Sequence, residues 1–412
     1  MKKLFVLMLV FVFILTACAP KTEEVVPTEV VTEAPPVEAT EEVVATEEVV
    51  ATEEVVATEE VAPVEFRVGF VSDTGGVFDG SFNEAQWNGI LQAQTELGVV
   101  PQFIQSDEAT QYIPNLTEFA TQGYDVIIAS GFFLGADLAT VAVQYPDINF
   151  AIFDYAYPDP GLPEGNPGQA ACIDNVMGIV FKTDQAAYLA GYLAAGMAIQ
   201  LDPEDPALGY FGGAKIPSVT IFGVGFQAGM DAYNAVHGTA VRMIGWDNAT
   251  GEGLFTLDFV DLVKGEQYAR TLFEEGADIF MGVGGLIGSP GFAVAREYGG
   301  YGIWVDTDGY TSLDGVQDVI LTSVLKFMQP VAFSFIQDAM EGNFQGCTNY
   351  VGDMATNGGV GLAPYHDLES MVPADLAAEV AALQAQIESG ELVDTGCVSY
   401  PQWCAQGLYE TP

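Results

Sequence analysis

Phe66-Arg67-Val68-Gly69-Phe70-Val71 runs directly into Ser72-Asp73-Thr74-Gly75-Gly76-Val77-Phe78-Asp79-Gly80-Ser81-Phe82-Asn83-Glu84, and the architecture of the chain can be read outward from there. The first six residues form an apolar run typical of a strand buried on both faces. Gly75 and Gly76 mark a turn, and a helix is expected from Asn83 to Leu97. Ser81 can cap that helix, with Glu84 three residues later as in a capping box. The same texture repeats downstream. Tyr124 to Ala129, Asn149 to Phe153, Ala207 to Phe211, Ala240 to Ile244, Asp278 to Val283 and Gly302 to Val305 are further short apolar runs. Helical patterns such as Gln185 to Ala198 and Asp261 to Glu275 separate them. Strands alternating with helices imply parallel sheets covered on both faces, and a run this long implies two α/β lobes.

Upstream of Phe66 the composition changes. Lys2 and Lys3 precede an apolar stretch from Leu4 to Leu15, which is shorter than a bilayer span. It ends in Leu15-Thr16-Ala17-Cys18, which has the form of a bacterial lipobox, so Cys18 is the expected lipid acceptor after removal of residues 1–17. Residues 18–65 repeat Ala-Thr-Glu-Glu-Val-Val, carry prolines at the flanks and lack aromatics, and read as an acidic, extended tether. The expected location is the extracytoplasmic face of the cell membrane. A formal charge of -46 argues against nucleic acid as a partner. Cys172, Cys347, Cys397 and Cys404 remain for two disulfides, in three possible pairings.

Catalytic signatures are missing. There is no P-loop and no G-x-S-x-G, and Gly282-Val283-Gly284-Gly285-Leu286-Ile287-Gly288 misses G-x-G-x-x-G by one residue. His237 and His366 stand apart from each other and from any cysteine. No enzyme activity and no cofactor or metal are expected. Asp73, Asp154 and Asp306 each follow an apolar strand, which is where ligands bind in open parallel sheets.

The opening stretch resembles the N-terminal signature of the basic membrane protein family of substrate-binding lipoproteins, D-x-G-G-x-x-D-x-S-F-N. Further blocks follow in the family's order. They are Asn175 to Lys182 leading into Ala186 to Gly191, Gly212 to Pro217 before Phe222 and Gly225 to Gly229, Gly284-Gly285, Val305 to Asp308, Leu321 to Lys326, and Asn357 to Leu362. The resemblance implies a type I periplasmic-binding-protein fold, with two doubly wound lobes and three hinge crossings near Cys172 to Gly178, Lys326 and Gly346. The N-terminal lobe would comprise 66–175 plus 326–345. The C-terminal lobe would comprise 176–325 plus 346–412, including an added helix and a cysteine-bearing tail.

The resemblance also implies function. Such proteins capture a nucleoside, best known as a purine nucleoside, and deliver it to the permease of an ABC importer. Phe82 and Phe222 would stack on the two faces of the base, and Asn83 and Asp154 would hydrogen-bond its edge. Asp306 and Lys326 would hold the ribose hydroxyls near the backbone of Gly284, with Asp79 and Asp73 shaping the turn or touching the ligand. A carboxylate suits a diol because both hydroxyls donate to it, and a neighbouring lysine offsets its buried charge. The protein is expected to act as a monomer. Departures from the family pattern at Phe78, Gly80, Leu286 and Trp304 bear on the purine preference. Riboflavin or a sugar as ligand, a nucleoside-processing enzyme, and a signalling receptor are the competing readings.

Overall fold

The computed structural model describes residues 65–405 and 408–409, so the signal segment, Cys18 and nearly all of the tether lie outside the described residues. Among the described residues, twelve strands form two six-stranded sheets. The first contains β1 (Arg67–Ser72), β2 (Val100–Gln105), β3 (Val126–Ser130), β4 (Asn149–Phe153), β5 (Val176–Phe181) and β11 (Thr348–Gly352), in the order β11-β5-β4-β3-β1-β2. The second contains β6 (Ala207–Gly212), β7 (Arg242–Ile244), β8 (Ile279–Val283), β9 (Tyr301–Asp306), β10 (Ile320–Lys326) and β12 (Val360–Leu362), in the order β12-β10-β9-β8-β6-β7. Of these twelve strands, β12 alone runs antiparallel to its neighbour. Each lobe is therefore the same doubly wound unit, as the alternating sequence implied. The strand order reverses direction beside β1 in one lobe and β6 in the other, and such switch points open a crevice at the carboxyl ends of the strands.

Apolar content explains which strands lie at the centre. Every residue of β3, β6 and β8 is buried, whereas β2 exposes Gln102, Phe103 and Gln105 at the sheet edge. Helices cover both faces of each sheet. The helix Phe82–Leu97 packs so closely on the helix Met328–Glu341 that a Cβ at Gly89 would collide with the carbonyl of Gln329.

The crossing near Lys326 falls where the sequence suggested, and the other two fall later. β5 completes a parallel pairing with β4 (Phe150 opposite Val176) before the chain leaves the first lobe, and β11 pairs with β5 before it leaves again. The chain therefore crosses at 181–183, at 326–328 and at 353–359. The shift places 176–181 and 348–352 in the N-terminal lobe's sheet. The physical reason is that each strand, β5 between two partners and β11 at the sheet edge, satisfies its backbone groups in the ladder before the chain turns away.

The disulfides pair Cys172 with Cys347 and Cys397 with Cys404. The first ties the segment entering β5 to the one entering β11. The second closes the small loop of the tail. That tail folds back on the start of the helix Thr183–Leu201: Thr395 Oγ1 donates to Asp184 Oδ2 at 2.6 Å, and the Tyr409 hydroxyl donates to the same carboxylate at 2.8 Å. Asp184 is fully buried, and burial raises its pKa against the pull of these donors. The extension thus packs against the C-terminal lobe just past its first crossing.

Candidate functional site

The turn after β1 is organised by Asp79 rather than by Ser81. Asp79 Oδ1 accepts from the backbone N–H groups of Ser81 (2.9 Å) and Glu84 (3.0 Å), and Oδ2 accepts from the N–H of Asn83 (2.9 Å). It supplies the cap expected of Ser81. Glu84 does reach back, but to the N–H of Gly80. Ser81 has no capping bond of its own because its hydroxyl points across the cleft, 3.1 Å from Val305 O and 3.2 Å from Asp306 Oδ2. Thr307 Oγ1 donates back to Gly80 O at 3.0 Å. Two hydrogen-bonded contacts thus join the first turn of one lobe to the end of β9 in the other.

Asn83 is a scaffold residue here. Its amide donates to Asp73 Oδ1 and Asp79 Oδ2, both at 3.2 Å, and its Oδ1 accepts from Ser130 Oγ at 2.6 Å. Both amide hydrogens are committed, so the expected donation to a base edge would require these bonds to rearrange. Asp73 also accepts from Gly75 N–H at 2.9 Å.

Burial pushes Asp79 up to about 7, only partly opposed by its backbone donors, and pushes Asp73 up as well. An acid raised in the folded state stabilises the fold fully below its unfolded value, 3.8, and that contribution is lost as pH rises through about 7. The apoprotein should therefore lose up to about 1.4 kcal/mol of stability per pH unit across that window from this group. Asp79→Asn should be weaker overall, through loss of the cap, but with a shallower slope. Urea unfolding of both proteins between pH 4.5 and 8 is the check, and parallel curves would mean that Asp79 stays ionised.

Asp154, just past β4, and Asp306, at the end of β9, occupy matching positions in the two lobes, and both have left-handed backbones (φ 62° and 71°). Non-glycine residues seldom adopt that conformation, and such strain gathers at functional sites. Between them lies Lys326, the last residue of β10. Its Nζ is 2.8 and 3.0 Å from the two oxygens of Asp154 and 3.3 Å from Asp306 Oδ1. The latter is an ion-pair contact without hydrogen-bond alignment, and Asp306 Oδ1 has no hydrogen-bond donor among the described residues. Burial alone would lower the lysine's pKa; the two carboxylates outweigh it and raise it. Burial raises Asp154 to about 6 even with the lysine in contact.

Aromatic rings complete the arrangement. The Lys326 ammonium lies 4.7 Å from the ring centroid of Phe82, 5.7 Å from Phe222 and 5.6 Å from Phe181. Phe82 opens the first helix of the N-terminal lobe, and Phe222 lies in the helix Pro217–His237 of the C-terminal lobe. Phe222 is buried, yet it lines the shared cavity rather than an isolated core. That cavity encloses about 590 Å³, part of it open to solvent, and takes in Asp73, Asp79, Phe82, Asn83, Asp154, Phe222, Gly284, Asp306 and Lys326. Every candidate ligand-binding residue read from the sequence is thus brought to one place. Lys326 is the sole basic residue among those lining it, against four aspartates.

Sequence reading missed Phe132, Phe133 and Phe259, which line the same cavity. Phe133 and Phe259 meet edge to face, ring centroids 6.2 Å apart. Gly131-Phe132-Phe133 follows β3, so position past a strand end was the available signal. Trp304 and Phe78 do not line the cavity: Trp304 is buried beside Phe292, and Phe78 is exposed against Phe103.

Two doubly wound lobes with a charged and aromatic cavity between their strand ends define a solute-binding protein of the type I periplasmic class. The chain belongs to the family described as ABC transporter substrate-binding protein PnrA-like (Bmp), which matches residues 66–392. It is 28% identical over 346 residues to the CD4+ T-cell-stimulating antigen of Listeria monocytogenes, covering 80% of this chain and 87% of that protein. It is 26% identical over 316 residues to the ABC transporter nucleoside-binding protein BmpA of Lactococcus lactis subsp. cremoris, covering 72% and 81%. Among solved structures it is similar to an ABC transporter solute-binding protein from Aeropyrum pernix K1. The TM-score is 0.70 and the identity 25%, over 82% of this chain and 96% of the other.

Proposed function

We propose that the chain is a lipid-anchored nucleoside receptor, with a purine nucleoside as its foremost ligand, serving the permease of an ABC importer from the extracytoplasmic face. The observation that carries this reading is the placement of one ammonium between aromatic rings and carboxylates that come from opposite lobes. A planar base suits the gap between Phe82 and Phe222, and Asp154 offers an acceptor at its edge. A ribose diol suits Asp306, whose buried Oδ1 lacks a donor, with Lys326 and the backbone of Gly284 beside it. The BmpA relative is named for nucleoside binding, and relatives from Pyrococcus are named lipoproteins. The first name accords with the nucleoside, and the second with a lipid on Cys18.

The mechanism is lobe closure. Ligand contacts from both lobes favour the closed state, in which Ser81 and Thr307 bridge the cleft, and the transporter recognises that state. Calorimetry with adenosine, guanosine, inosine, ribose and riboflavin tests the ligand class, supported by mass spectrometry of any small molecule that copurifies. Binding of riboflavin or ribose in preference to every nucleoside would overturn the reading. Release of hypoxanthine from inosine would turn it toward an enzyme.

A further inference from the structure

The cavity does not end at Asp154. Phe132, Phe133 and Asp154 also line a second chamber of about 920 Å³, partly open to solvent, which continues away from Gly284 and Asp306. Its further walls include Ala136, Tyr155, Leu162, Pro217 and Ala405, the last from the C-terminal tail just past Cys404. Two features define what it accepts. Phe132 and Tyr155 present adjoining rings, with centroids 5.2 Å apart. Its carboxylates already have partners: Asp159 Oδ2 accepts from the Tyr155 hydroxyl at 2.5 Å, Asp159 Oδ1 accepts from Gly161 N–H at 2.8 Å, and Asp154 is held by Lys326. No lysine, arginine or histidine lines it among the described residues. An anionic group would meet two carboxylates without a cation, whereas an uncharged apolar group would gain contact with aromatic and aliphatic walls.

Resting on the nucleoside reading, with the base edge at Asp154 and the sugar at Asp306, we infer that this chamber receives an uncharged, apolar or aromatic substituent carried on the base. The class of ligand is then a base-modified nucleoside as well as the plain one. The second chamber adjoins Asp154 and is lined by neither Gly284 nor Asp306, so the base end is the extensible one.

Calorimetry with adenosine, N6-benzyladenosine and 5′-benzylthio-5′-deoxyadenosine tests this on the full chain. Two variants, Ala136→Phe and Ala405→Phe, fill the chamber from different elements and leave the first cavity's lining untouched. The wild-type protein should bind N6-benzyladenosine at least as tightly as adenosine. Each variant should weaken the benzyl compound by about tenfold or more while shifting adenosine by less than about twofold. Near-unchanged adenosine binding also reports that a variant is folded, and either variant alone suffices. Adenosine binding with exclusion of N6-benzyladenosine by the wild-type protein would overturn the inference but leave the nucleoside reading intact. So would equal weakening of both ligands by the variants, or preference for the 5′-substituted compound. Failure of the wild-type protein to bind any of the three would overturn the nucleoside reading and this extension together.

Discussion

Lys326→Met should lower the stability of the apoprotein by about 3–5 kcal/mol near pH 8 and remove nucleoside binding. Methionine keeps most of the length and the apolar stem but deletes the charge that Asp154 and Asp306 share. Both carboxylates are buried, at 11% and 7% side-chain exposure, so neither can recover its hydration by turning outward. Removing one partner of such a set leaves uncompensated charge, and that penalty exceeds what the intact ion pair contributes. The deficit should depend on pH. Asp154 already titrates at about 6 with the lysine in place, and without it the folded value moves further up. A carboxyl raised in the fold supports stability below its unfolded pKa and withdraws that support as pH rises. The variant should therefore approach wild type near pH 5 and fall furthest behind above neutrality. Adding Asp154→Asn should recover part of the loss, because it removes one of the stranded charges. Urea unfolding of the three proteins at pH 5 and pH 8 reads all of this. A deficit that does not change with pH would place the destabilisation in packing rather than in charge.

How much of this was legible in the sequence depended on burial. β1, β3, β4, β6, β8 and β9 were readable because parallel strands covered on both faces carry unbroken apolar runs. Of the edge strands, β7 showed as the run Ala240 to Ile244, whereas β2 and β11 did not, because they interrupt the apolar run: β2 contains Pro101, Gln102 and Gln105, and β11 begins Thr348-Asn349. The hinge crossings follow the ends of β5 and β11, because both strands complete their pairing in the first sheet before the chain leaves it. In the site, Asp73, Asp154 and Asp306 were visible as polar residues ending apolar strands, and the topology of a doubly wound sheet does the rest.

What failed to be legible was competition for the same group. Ser81, followed by Glu84, has every local qualification for a capping box, and the sequence holds nothing to say that its hydroxyl faces Val305 and Asp306, more than two hundred residues away. Asp79, two residues before it, was free to take the cap instead. Asn83 likewise looked available for a ligand until its two carboxylate acceptors were found on either side of it. Phe133 and Phe259 meet only when the lobes face each other, so no periodicity could pair them. Thr395 and Tyr409 gave no sign of Asp184 for the same reason: the contact is long-range, and a fully buried acid with a raised pKa is a property of the folded chain alone.

The aromatic pair provides the other large effect, and its two members should behave differently. Phe222→Leu and Phe82→Leu both retain an apolar side chain while removing the π face, so each should weaken adenosine by about 1–3 kcal/mol, or roughly five- to 150-fold in Kd. Ribose, which has no base to stack, should be affected by neither. The alanine series separates packing from stacking. Phe222 is 1% exposed in the interior of a long helix, so Phe222→Ala should also cost about 3–5 kcal/mol of stability through the cavity it leaves. Phe82 is half-buried at the cleft, so Phe82→Ala should lose comparable affinity with a smaller stability penalty. A cation–π contact gives Phe82 a second duty, because its ring faces the Lys326 ammonium at 4.7 Å. Removing it should therefore weaken adenosine binding further than Phe222→Leu does, where the ammonium retains its nearest ring. Calorimetry with adenosine and ribose, alongside urea unfolding, covers the set. If both leucine variants bind adenosine as wild type does, the rings are packing elements and the base lies elsewhere.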